Sequence, residues 1–389
     1  MIRYLSKRAL SSLIALFLFL TFMFFVAEIM IPHDFTVQFG MTYTREQREQ
    51  MQQELGLNLP LWQRYLNWVR RLISGSLGTS FYGSPVVEVL KAFLPPTLLI
   101  FVTGTGIAFV FGQWLGKLTA WRGSGWLSNS ATFSAIALYT TFPPWLAFLM
   151  TYFFARRLGW FRRIDNPYRQ LNREIWKGFA LTSQAVMWRM LLALVAVALL
   201  LAVVNRVLRR TLQRRIPTLL YLPLLVAGLI ASWFALGFVR QALDILSLAG
   251  LPILTYVLLS FGETMLIMQT SMADTLGESY VITARAKGLP NCVVRDKHAA
   301  RNALLPVLSR LVVSLPYLLT GLVIVEDVLR WPGISGALFY SLYQQDMPVV
   351  MGALLMVGVL SAVARLILDV LYVYLDPRLR YETGPAGRL

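Results

Sequence analysis

Eight long apolar runs divide this chain, at 9–31, 94–116, 131–155, 187–205, 217–239, 251–272, 303–325 and 347–375. Each is close to or above the ~20 residues an α-helix needs to cross a bilayer core. The pattern predicts an all-α integral membrane protein. Gly and Pro punctuate the runs, as at Pro95-Pro96, Gly104, Gly106 and Pro143-Pro144. Membrane helices tolerate such residues because neighbouring helices and hydroxyl side chains re-satisfy the freed backbone. The opening MIRYLSKRAL resembles a signal peptide. The apolar run behind it is too long for a signal and lacks a small-residue cleavage site, so it reads as a retained first span.

The polar stretches set the orientation, because Lys and Arg concentrate in short cytoplasmic loops. Arg3, Lys7 and Arg8 place the N-terminus in the cytosol. Alternation then puts 117–130, 206–216, 273–302 and the C-terminal tail inside, each carrying basic residues, and 329–346 outside with Arg330 against Asp346. One loop resists. Residues 156–186 hold Arg156, Arg157, Arg162, Arg163, Arg169, Arg173 and Lys177, yet parity places them outside. Either these charges lie on an interfacial helix or one span is miscounted. The first external loop, 32–93, is long enough to be exempt from the charge rule and should form a cap. Within it Thr44–Leu57 is polar with helical propensity, and Thr44 with Gln47 fits a helix N-terminus.

Composition agrees with a membrane chain. Of 389 residues 57% are hydrophobic and 14% charged, with mean hydropathy +0.60; a soluble protein carries about a quarter charged residues. The net charge of +17 could suit nucleic acid. No nucleic-acid module accompanies it, so loops facing anionic lipid and cytosol account for the charge. Cys292 is the only cysteine, which excludes an intrachain disulfide and a cysteine zinc site.

Catalytic patterns are missing. The stretch from Gly112 to Thr119 is one residue short of a P-loop between its glycines and has Leu118 in the hydroxyl slot. His33 and His298 fall on opposite sides of the membrane and cannot share a metal. Neither GxSxG nor HExxH occurs. A lipid-modifying enzyme would need an acid and base paired at one interface, and none is visible.

The segment Tyr280–Pro306, YVITARAKGLPNCVVRDKHAARNALLP, is polar and basic between two apolar runs. The pattern predicts a short helix from Asp274 to Lys287, with Arg285 and Lys287 at the end that favours cations. Gly288 can end it in a left-handed conformation, and Pro290 blocks continuation. Small Ala284 and Ala286 suit a helix seated in a partner's groove. An amphipathic helix lying on the headgroups fits the same residues.

Ionisable residues inside spans are expensive and often functional. Arg365 and Asp369 lie one helical turn apart and suggest a neutralising structural pair. Glu263 could line a pathway or pair with Arg310. Glu28, near the outer end of the first run, should reach water. Glu326 and Asp327 near the outer mouth are weaker pathway candidates beside Glu263, with a solvated loop edge as the plainer reading.

TARAKGL followed by HAARNALLP resembles the coupling loop of binding-protein-dependent ABC importer permeases of the dipeptide/oligopeptide type. Other stretches resemble the family in the same order: LGLNLPLWQRYLNWV (Leu55–Val69), GSLGTSF (Gly75–Phe81), LPPTL (Leu94–Leu98), TSMADTLGESYV (Thr270–Val281), VIVEDVLRWPGISG (Val323–Gly336), DMPVVMG (Asp346–Gly352) and LDVLYVYLDPRLRY (Leu368–Tyr381). The co-linearity covers most of the chain outside about 160–250.

The resemblance implies a type I ABC importer transmembrane domain in a prokaryotic cytoplasmic membrane. It implies a single permease domain, 1–389, with six core spans and a two-span insertion at 160–250, an external cap at 32–93 and a cytoplasmic coupling loop at 273–306. Both termini would be cytosolic. The chain would have no catalytic residues, metal or cofactor of its own. ATP and Mg would bind two ATPase subunits, joined by a second permease subunit, an extracytoplasmic substrate-binding protein and surrounding lipid. By the matching motif, Thr283, Ala284, Arg285, Ala286, Lys287 and Gly288, with Arg301 and Asn302 nearby, would contact the ATPase. Importers of the wider class often carry Glu-Ala-Ala where this chain has Ile282-Thr283-Ala284, so a salt bridge from that Glu slot is not expected. The substrate would be a peptide or similar solute. The alternative is a channel or scaffold that works without a motor.

Overall fold

The computed structural model of the chain describes residues 2–30, 44–54, 56, 58–162, 171, 173–211 and 218–375. It is all helical apart from turns and a single bridge between Thr79 and Pro85 among the described residues. In order the helices are α1 (Ile2–Met30), α2 (Arg45–Glu54), α3 (Leu61–Ile73), α4 (Val86–Arg122), α5 (Trp126–Thr140), α6 (Pro143–Met150, continued by a π turn, Thr151–Arg157), α7 (Arg173–Trp176), α8 (Ser183–Thr211), α9 (Thr218–Ala235), α10 (Val239–Leu276), α11 (Ser279–Ala286), α12 (Asn291–Val293, then a π turn, Val294–Ala299), α13 (Ala300–Val328), α14 (Ile334–Tyr343) and α15 (Met347–Leu375).

Five described helices are long and apolar enough to cross a membrane alone, and two bent pairs bring the number to seven. The remaining run, 217–239, gives α9, whose apolar part, Leu220–Ala235, is shorter than a full crossing. The run at 131–155 is not straight. It breaks by 109° between α5 and α6, where Pro143 disfavours helical geometry at Phe142, which has ψ 118, and Thr141 before it is extended too, with ψ 137. Helices α4 and α10 outgrow the expected 94–116 and 251–272. At 37 and 38 residues they measure about 55 Å, well beyond the ~30 Å hydrocarbon core, so both project past it.

The bundle is organised around α10, which packs along α4, α5 and α13. Small residues Gly104, Ala108, Gly112 and Gly116 recur every four positions on α4 and let the two backbones touch, as small residues do at membrane helix interfaces. A Cβ on Gly112 would lie 2.7 Å from the Phe261 carbonyl oxygen, and one on Gly116 2.5 Å from that of Met265. The P-loop-like stretch is therefore the interior of a packed helix. Pro95 and Pro96 sit inside α4, and the Pro96 carbonyl accepts a hydrogen bond from Trp331 Nε1 at 3.0 Å.

The 160–250 region lies against this core. Val186, Met187 and Met190 of α8 share one buried cluster with Leu99, Phe238 and Leu319. Of the conflicting charges at 156–186, Arg162 is neutralised by buried Asp244 at 2.6 Å, and Trp176 Nε1 donates to the same carboxylate at 2.9 Å. Arg163 and Arg169, Arg214 and Arg215 of the basic hairpin loop, the C-terminal tail and the Asp369 side chain of the Arg365–Asp369 pairing lie outside the described residues.

The 32–93 segment has the expected helix start among its described residues. Thr44 N–H donates to Gln47 Oε1 at 2.9 Å, and Gln47 N–H to Thr44 Oγ1 at 3.4 Å, the reciprocal pattern of a capping box. Helix α3 packs on α1 through Phe24, Phe25, Tyr65 and Trp68. Glu28 does not reach water: it is 5% exposed and paired with Arg64 at 2.7 Å, because α3 closes over the end of α1. Asp346 ties the start of α15 to the cap, accepting hydrogen bonds from Ser80 Oγ and from Phe81 N–H. Burial pushes its carboxyl above the ordinary aspartate range, against the opposing pull of those bonds.

Candidate functional site

The 273–306 loop folds as an elbow. Helix α10 stops at Leu276, Gly277 breaks it, and the predicted 274–287 helix becomes the eight-residue α11. Its end is a Schellman motif: Gly288 N–H donates to the Arg285 carbonyl at 2.9 Å and Leu289 N–H to that of Ala284 at 3.4 Å. Gly288 has φ +69, a conformation that costs a residue with a Cβ. Pro290 then starts α12, and the chain turns into α13.

Helical spacing gives α11 two faces. Val281 and Ala284 point inward onto Met268, Met272, Val294 and Ala299. Ala284 is 4% exposed, so its methyl supports the elbow from beneath. Ile282, Thr283, Ala286, Lys287 and Gly288 are exposed, as are Arg301 and Asn302 beyond the turn. Arg285 is exposed too, yet its guanidinium lies over the Trp121 ring at 5.2 Å, a cation–π arrangement. Lys117 Nζ meets Asp296 Oδ1 at 3.5 Å, and Arg295 holds the same carboxylate with bonds of 3.0 and 2.7 Å. Trp121 and Lys117 thus clasp the elbow to the end of α4. No local pattern signalled these contacts, which join residues more than 150 positions apart.

The membrane-depth candidates separate. Glu263 of α10 is bound to Arg310 of α13, Nε to Oε1 at 2.6 Å. Glu326 is wholly buried. Its Oε2 accepts the Ser335 N–H at 3.2 Å at the start of α14, where the helix dipole favours a negative group. A Cβ on Gly333 would lie 2.2 Å from Glu326 Oε1. Glu326 is thus enclosed by protein atoms, not at a solvated loop edge; Asp327 beside it is exposed. Ile334 N–H donates to Thr97 Oγ1 at 2.7 Å, so the LPPTL and WPGISG motifs meet in one turn.

Two family descriptions match the chain: the inner membrane component of binding-protein-dependent transport systems over residues 194–381, and the N-terminal part of such membrane components over residues 1–95. This chain belongs to the binding-protein-dependent transport permeases. It is similar to an oligopeptide transport system permease protein of Bacillus subtilis, 29% identical over 98% of this chain and 100% of the relative. A probable D,D-dipeptide transport system permease protein of Escherichia coli K12 is 29% identical over 85% of this chain and 84% of its own length. A glutathione transport system permease protein of Escherichia coli O6:H1 is 25% identical over 98% and 100%. Such permeases are membrane components of ABC importers, and the multi-pass helical architecture above is that of an all-α importer membrane domain.

Proposed function

We propose that this permease forms half of an ATP-driven import pathway for peptides or similar small solutes and docks a separate ATPase through α11. The observation that carries this reading is the elbow: a short helix with one exposed face, closed by Gly288 and clasped to the ends of α4, α10 and α13. A push on such an element is passed to three long helices together. The contacts fall to Thr283, Arg285, Ala286, Lys287 and Gly288, with Arg301 and Asn302 flanking; Ala284 supports them from below. Two ATPase subunits bind ATP and Mg, a second permease completes the pathway, and an extracytoplasmic binding protein delivers the solute. Peptide cargo is favoured because the relatives above are described as carrying oligopeptides, D,D-dipeptides and glutathione. Each motor state binds ATP differently, and that difference drives alternating access.

In this arrangement the elbow and both termini are cytosolic, residues 32–93 form the external cap, and 160–250 is an insertion whose helices α8 and α9 brace the core. Residues 1–389 act as one domain. Purification in mild detergent, followed by mass analysis of the chains that accompany it, tests the reading. ATPase subunits should co-purify. A stable, solitary, ion-conducting chain would instead establish the motor-independent channel.

A further inference from the structure

Helix α13 bends by 56° between Leu315 and Tyr317; Asn302, Pro306, Arg310 and Val313 are exposed along its first arm, and Tyr317 and Thr320 just beyond the bend. The spacing of three and four keeps the first four on one face. A face turned to lipid should be apolar. That is what α1 presents with Leu10, Leu13, Ile14 and Leu18, and α8 with Leu192, Val195, Leu199 and Val203. The α13 stripe instead carries an amide, a guanidinium, a phenol and a hydroxyl. Arg310 lies ten positions into the helix, about 15 Å along its axis, within the apolar run 303–325. Charged groups at that depth face a bundle interior or a water-filled cavity. The stripe therefore lines water or a second permease, not lipid.

The ion pair on this stripe is asymmetric. The Glu263 side chain is 11% exposed and that of Arg310 51%. Glu263 takes the Nε edge of the guanidinium, and Tyr139 of α5 interacts with the same group. Arginine has five N–H donors in a planar fork, so donors remain for recognition after Glu263 and Tyr139 each take one. The pair is neutral as a whole, but its exposed pole is positive. Glu263 holds the fork in one orientation, which favours a planar bidentate acceptor over a point charge.

The geometry points to Arg310 as a carboxylate-recognising residue of the pathway, held in place by Glu263, that engages the C-terminal carboxylate of a passing peptide. This rests on the importer reading above and adds a residue and a ligand group to it.

The test uses the complete complex, with both permeases, both ATPases and the binding protein, in proteoliposomes. Trialanine and trialanine amide are supplied at concentrations that load the binding protein equally. Arg310→Gln should lower trialanine uptake at least tenfold and amide uptake less than twofold, with basal ATP hydrolysis retained. Should the single variant fail to assemble, the double variant Glu263→Gln/Arg310→Gln, which discharges both partners, carries the same comparison. An equal loss for both peptides, or no loss, overturns the carboxylate role. Pathway exposure is read separately. In a Cys292→Ser background, Val313→Cys and Tyr317→Cys should react with a water-soluble, membrane-impermeant thiol reagent, and failure of both to react overturns the placement of the stripe. If the unaltered complex moves neither peptide on ATP, the peptide-importer reading fails, and this inference with it.

Discussion

Replacing Gly116 by alanine adds one methyl group where the α4 backbone comes closest to that of α10 among the seam glycines. The new Cβ would stand 2.5 Å from the Met265 carbonyl oxygen, 2.8 Å from Met268 Cβ and 3.1 Å from Gln269 N. Two of these are backbone atoms of α10 and cannot rotate away. Ordinary contact needs about 3.5 Å, so the helices must part by about 1 Å, and the overpacking cost is ~1–3 kcal/mol. Helix propensity works the other way, since Ala stabilises a helix over Gly by ~0.5–1 kcal/mol. Gly106→Ala supplies the control: it lies in the same helix with nothing within 4 Å of its Cβ position. Propensity cancels between the two variants and the steric term remains. Thermal unfolding in mild detergent should place Gly116→Ala below Gly106→Ala by the equivalent of ~1–3 kcal/mol, about 1–4 °C for a chain of this length. Equal melting temperatures would refute the close approach of α4 and α10.

At Gly288, a valine must adopt φ +69, and strain of ~1–3 kcal/mol should loosen the elbow; ATP hydrolysis in the complex is expected to continue while uptake falls, which paired hydrolysis and uptake assays check. Removing the aromatic ring with Trp121→Ala deletes the platform under Arg285, a cation–π contact of ~0.5–1 kcal/mol, together with its packing on the elbow's buried cluster, so uptake per ATP should drop. The Arg64→Ala variant leaves buried Glu28 without its countercharge, and ~3–5 kcal/mol of destabilisation should appear as a lower melting temperature, largely restored by adding Glu28→Gln. Thr44→Ala should weaken the cap helix by ~1 kcal/mol, visible as faster amide exchange across Arg45–Glu54 with uptake unchanged.

What could be read from the chain follows the range of the interaction. Apolar runs, the Thr44–Gln47 box and the Gly288 terminator are local, so the residues that make them also announce them. Proline effects were only half legible: Pro143-Pro144 is plain in the sequence, but a 109° break and a helix uninterrupted at Pro95-Pro96 differ in their neighbours. The Pro96 carbonyl gains Trp331 Nε1, and no such long-range partner is predictable from residue order. The charges show the same limit. Glu263 with Arg310 was one of two open readings, whereas Glu28 with Arg64 and Arg162 with Asp244 join segments whose approach depends on tertiary packing. Ala284 shows a further limit: a motif names a stretch, while helical phase decides which of its side chains face out, and Ala284 faces in.

That helical phase also bears on how force would leave the elbow in the proposed cycle. Its inner face rests on Met268 and Met272 of α10, its Arg285 on Trp121 of α4, and Asp296 just beyond it on Lys117 of the same helix. A load on Lys287 therefore meets α10 and α4 together, and these two helices are joined without intervening side chains at Gly112 and Gly116. Close-packed interiors shift as units and do not deform continuously. The α4–α10 pair should move as one body, with α13 and its Arg310 stripe displaced against it. On that argument, a methyl at Gly116 reduces coupling by letting the two helices yield separately, even though it touches neither the elbow nor the pathway. Uptake per ATP in Gly116→Ala should then fall while Gly106→Ala keeps the normal ratio; an unchanged ratio in both would mean that force reaches the pathway through α13 alone.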